Sequence, residues 1–70
     1  MAIEIARKVS KKQCMFRVIM ESVCGIRFYT IEVSTNDWDK DDCFVWREYN
    51  KEYTFNKNKD VVMNAYNNIR

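Results

Sequence analysis

Across residues 14–35 apolar and polar side chains alternate, and the alternation breaks only near Gly25, the single glycine of the chain. Cys14, Phe16, Val18 and Met20 fall on one side of the first run, with Met15, Arg17, Ile19 and Glu21 on the other. After the glycine, Tyr29, Ile31 and Val33 oppose Phe28, Thr30, Glu32 and Ser34. Alternation of this kind is what a half-buried β-strand shows, because its successive side chains point to opposite faces. Glycine takes φ > 0 with little steric cost, so residues 22–25 predict a hairpin turn joining two antiparallel strands. With no proline anywhere in the chain, nothing in these runs argues against ladder pairing.

The flanks extend the pattern. Ile3, Ile5 and Val9, with Glu4 and Lys8 between them, predict a first strand, and residues 10–13 a turn. Residues 43–49 predict a further strand, with Phe44 and Trp46 on one side and Val45 and Tyr49 on the other. Residues 50–52 then turn, and 53–55 form a short last strand or extended lead-in. Beyond that the period changes. Val61, Val62, Ala65, Tyr66 and Ile69 form one stripe of a helix, which Asn56 or Asn58 can cap. Asp60 suits the positive end of its dipole and Arg70 the negative end. The expected fold is α+β: one domain over residues 1–70, an antiparallel sheet of three to five strands with the C-terminal helix packed on one face.

Composition bounds the function. A chain of 70 residues buries only about 60% of its unfolded surface, so its core is small. A 47% hydrophobic fraction with ten aromatics nevertheless argues for a folded globule. Net charge is +2, too small to imply nucleic acid by itself. Residues 1–35 carry +3 and residues 36–70 carry −1, so the chain has a basic beginning and an acidic middle. Cys14, Cys24 and Cys43 are an odd set, and with no histidine the usual structural zinc set is missing. They read as small buried hydrophobes in a reducing compartment. No apolar run is long enough for a membrane span, and the first residues lack the order of a signal peptide. The expected setting is cytoplasmic.

Two clusters stand out. Asp37, Asp39, Asp41 and Asp42 surround Trp38 and Lys40 between two strand candidates. Such a loop holds a cation, meets a basic partner, or keeps a sheet soluble. Asp37, Asp39, Asp41 and Glu48 share the spacing of calcium-loop ligands. Asp42, however, stands where that loop needs glycine, and the flanks read as strands rather than helices. No metal or other cofactor is therefore expected. Trp38 among carboxylates is either folded back on the sheet edge or an interface anchor. The second cluster is Arg7, Lys8, Lys11, Lys12, Arg17 and Arg27. It reads as a solvated edge or, alternatively, as a phosphate-binding surface using Arg7, Lys8, Lys11, Lys12 and Arg17. Catalysis lacks its usual groups: there is no histidine base, no nucleophile elbow and no phosphate-cradling glycine loop.

Eight of the ten aromatics lie within residues 28–55. One short helix cannot cover Phe28, Phe44, Trp46, Tyr49, Tyr53 and Phe55 together, so some rings await another molecule. Lysine and asparagine each occur seven times. In that composition, its shortness, its missing catalytic set and its sheet-then-helix order, the chain resembles small phage-encoded proteins that disable a host factor, the anti-CRISPR and other anti-defence inhibitors. The resemblance implies a protein-binding inhibitor or adaptor that is not an enzyme. Its expected contact set is Asp37, Trp38, Asp39, Asp41, Asp42 and Trp46 against a basic partner protein, such as one that binds nucleic acid. The alternatives are a nucleic-acid-binding module and a structural homodimer.

Overall fold

The computed structural model describes residues 2–11, 14–34 and 45–70. Among these residues four strands make one antiparallel sheet in sequence order: β1 (Ala2–Val9), β2 (Met15–Val23), β3 (Ile26–Ser34) and β4 (Arg47–Glu48). Among the described residues one α-helix, α1 (Lys59–Asn68), follows the strands. The fold is the α+β arrangement expected.

The β2–β3 hairpin is joined by Cys24 and Gly25 alone, with φ of 52° and 79°. Positive φ at both central residues gives a two-residue turn whose twist matches that of the strands. The strands therefore run closer to the tip than the expected four-residue turn. Cys24 is exposed there rather than buried, because side chains at a hairpin tip have no layer to enter; Cys14 is half-buried at the start of β2.

Pairing of Phe16 with Val33, Val18 with Ile31 and Met20 with Tyr29 puts these residues on one face. α1 covers that face, burying Val62 and Tyr66 against Phe16, Val18, Tyr29 and Ile31. Val18, Ile31 and Val62 are fully buried. Val61, expected in the buried stripe, is exposed, and Met63 packs against the core on the other flank. The helix has rotated toward Met63 because Val62 and Tyr66, one turn apart, take the centre of the contact.

Asn58 caps α1, its Oδ1 accepting from the N–H groups of Asp60 and Val61 at 3.1 and 3.3 Å. Asn56 instead holds the chain to the sheet, exchanging two backbone hydrogen bonds with Tyr29. The C-terminal end is served by a residue far away in sequence. Lys8 Nζ donates to the carbonyls of Tyr66 and Ile69 at 2.6 and 2.7 Å and lies 4.5 Å from the Tyr66 ring centroid. It takes the place that Arg70 was expected to fill. Burial pushes the Tyr66 hydroxyl above its ordinary pKa, and the charge of Glu4 adds in the same direction. Lys8→Met keeps the stem but removes both charge-assisted bonds, and should cost about 1–3 kcal/mol in a urea melt. An unchanged midpoint would show the cap to be idle.

Two strand expectations change. Of residues 43–49, residues 43 and 44 lie outside the described set, and only Arg47 and Glu48 form the strand. Tyr49 adds one bond to the Ile31 carbonyl. Val45 and Trp46 leave the ladder where the indole crosses to the arginines of β1 and β2. Residues 53–55 are not a strand. Lys51–Tyr53 form a 3₁₀ turn capped by Asn50, and Phe55 at φ 51° breaks the extended path before Asn56 rejoins β3.

Candidate docking surface

The face turned away from α1 is fixed by the same register. Odd residues of β2 and even residues of β3 lie on it, so it reads Met15, Arg17, Ile19, Glu21, Val23 beside Ser34, Glu32, Thr30, Phe28, Ile26. It divides into a charged end and an apolar end.

At the charged end, Arg7 stands opposite Arg17, Arg17 opposite Glu32, and Glu32 opposite Glu48. Like charges on neighbouring strands repel, and the structure compensates. Arg7 pairs with Glu4 at 2.6 Å. Arg17 Nε donates to Glu32 Oε1 at 2.8 Å, and its guanidinium also approaches Glu4 at 3.7 Å. The Trp46 ring then lies over both guanidinium groups, 4.0 Å from Arg17 Cζ and 5.4 Å from Arg7 Cζ. Arginine stacking on indole is worth roughly 0.5–2 kcal/mol, more than a partly exposed ion pair. Ser34, on the same face, is fully buried, and among the described residues its hydroxyl has no hydrogen-bond partner.

The apolar end is different in kind. Val23 and Ile26 pair across the hairpin and are 48% and 44% exposed. Phe28 comes next on β3, opposite Glu21 of β2, and Phe55 meets it edge to face with ring centroids 6.0 Å apart. Phe55 is 56% exposed, the most exposed of the large apolar side chains described. Its backbone is left-handed, a conformation that costs a bulky L-residue roughly 1–2 kcal/mol. The Phe55 N–H donates to Thr30 Oγ1 at 3.0 Å, which holds the kink in place. Among the described residues no strand or helix lies over this end of the sheet.

The structure thus brings Trp46, Arg7 and Arg17 into one stack, although the sequence pattern assigned them to separate surfaces. It removes Lys8 to the helix side. Lys11 is exposed in the β1–β2 connection, and Lys12 lies outside the described residues, as do Asp37, Trp38, Asp39, Asp41 and Asp42. Val23, Ile26, Phe28 and Phe55, which share the apolar end of this face, lay outside the contact set expected from sequence, although Phe28 and Phe55 were among the rings that one helix could not cover. Alternation already put Phe28 on the same face as Glu32; nothing local foretold that Phe55 would fold back to meet it. Tyr49 and Tyr53, by contrast, turn to the helix side, Tyr49 edge to face with Phe16 at 5.5 Å though still 42% exposed, and Tyr53 packed against the core.

Among the described residues no group of three or more acidic or cysteine side chains converges as a metal site, and no helix is long and apolar enough to cross a membrane. The chain matches no known protein family, no curated protein and no solved structure.

Proposed function

We propose that this is a small, non-enzymatic protein-binding module, an inhibitor or adaptor of the anti-defence type, working in the cytoplasm. It docks through the apolar end of the sheet face turned away from α1. The observation that carries the reading is the Phe28–Phe55 pair, held on that face by a strained backbone with Val23 and Ile26 beside it. Exposed apolar patches of this kind are characteristic of interaction sites, and aromatic side chains are enriched at the centres of interfaces. The acidic stretch Asp37, Asp39, Asp41 and Asp42 with Trp38 follows β3 directly and complements a basic partner, such as a protein that itself holds nucleic acid. Charge complementarity of that kind speeds encounter, while ring burial sustains the complex.

Nucleic acid is the weaker reading for a physical reason. Arg7 and Arg17 are ion-paired with Glu4 and Glu32, and Lys8 serves helix carbonyls, so three of the five cations that a phosphate-binding surface would use are already engaged within the chain. Two measurements separate the readings. Reversing Asp39 and Asp41 to lysine should slow association with a basic partner at low salt by tenfold or more, with little change at high salt. A gel shift with a generic single strand should show no binding at physiological salt. A strong, steeply salt-dependent shift, or association indifferent to the reversal, would reject this docking polarity.

A further inference from the structure

We infer that the outer edge of β1 receives β1 of a second copy of this chain in antiparallel pairing. Among the described residues β1 has a partner on one side only. Sheets normally blunt such edges by keeping them short or by placing proline or charge on them. β1 runs eight residues without proline, its charges Glu4, Arg7 and Lys8 are engaged within the chain, and Ile3, Ile5 and Val9 are between 39% and 51% exposed.

The register follows from the bulge. Glu4 pairs with Ile19 and Ala6 with Val18, so Ile5 is an extra residue that reverses the alternation within β1. Ile3, Ala6 and Lys8 lie on the helix side; Glu4, Arg7 and Val9 lie on the open side. Two-fold antiparallel pairing keeps both helices on one side, so paired residues must share a face. The register that satisfies this over the whole strand sets Glu4 against Arg7 of the second copy, and Arg7 against its Glu4. On the helix side Ile3 meets the stem of Lys8, whose ammonium is turned to the helix carbonyls. Ala2 meets Val9. No like charges oppose each other, and the intrachain Glu4–Arg7 pair becomes part of an alternating four-charge ring. The bulge that elsewhere guards an edge here selects one register of self-association. Because the contact is one strand wide, it belongs to the small, weak class of interface, under ~1,200 Å².

Sedimentation equilibrium tests this on the intact chain. Wild type should pass from one to two chains between micromolar and near-millimolar concentration. Glu4→Arg and Arg7→Glu should each weaken self-association by about tenfold or more, because both symmetry-related pairs become repulsive. An equimolar mixture of the two variants should form a heterodimer, since arginines at 4 and 7 then face glutamates at 7 and 4. Glu4 also approaches Arg17, so a second pair guards against misfolding: Ala2→Glu mixed with Val9→Lys should associate more tightly than either alone. A wild type that stays monomeric, a dimer indifferent to both reversals, or mixtures no tighter than their components would overturn the proposal.

Discussion

Replacing Ile31 with alanine is expected to bring the protein to the edge of unfolding at 25 °C. Ile31 is fully buried on β3, between Val18 on one strand and the Tyr49 bond on the other, directly under α1. An isoleucine truncated in such a place costs about 2–5 kcal/mol, the lost transfer energy plus the cavity left behind. A domain of this length has a total of roughly 4–10 kcal/mol to lose, at about 0.05–0.15 kcal/mol per residue. One core side chain is thus a large share of the whole, and α1 should melt together with the sheet. Val61→Ala is the matched control: its side chain is 41% exposed and alanine favours helix, so its midpoint should hardly move. Urea melts followed by circular dichroism decide the matter. Equal midpoints for the two variants would mean that the layer between sheet and helix does not carry the stability.

The second large effect concerns binding rather than folding. Phe55→Asn removes the exposed ring yet keeps a residue that tolerates left-handed φ. The fold should therefore survive, with stability unchanged or improved by up to about 1 kcal/mol as backbone strain is relieved. Affinity for a protein partner should fall by roughly 30-fold, the loss of about 2 kcal/mol that marks a binding hot spot. Such opposite signs are diagnostic. A residue kept for packing would lose stability on truncation; one kept for docking loses only its partner.

Much of the fold was legible because two periods carry it. Alternation in residues 14–34 assigned both faces of β2 and β3 correctly, and the spacing of Val62 and Tyr66 marked the helix and the side it buries. Asn58 was one of two caps open to the sequence, and the structure uses it while Asn56 bonds to the sheet. What sequence could not supply were contacts set by register and by chain reversal. Lys8 sits 58 residues from the carbonyl of Tyr66, and nothing local marks it as a helix cap. The Arg7–Arg17–Glu32–Glu48 row exists only once four strands are aligned, so the stack under Trp46 was invisible. Phe55 looked extended because its neighbours favour strand, yet the 3₁₀ turn before it and the Thr30 hydroxyl bend it back. The excess of rings over helix cover holds in a narrower form: Tyr49 and Tyr53 turn to the helix side, while Phe28, Trp46 and Phe55 lie on the other.

Radical footprinting of side chains, with and without a captured protein partner, tests the docking face most directly. Phe55, Phe28, Val23 and Ile26 should lose labelling in the complex while Val61, exposed on α1, keeps it. Protection confined to α1, or labelling of Phe55 unchanged at saturation, would contradict docking through the apolar end of the sheet face turned away from α1.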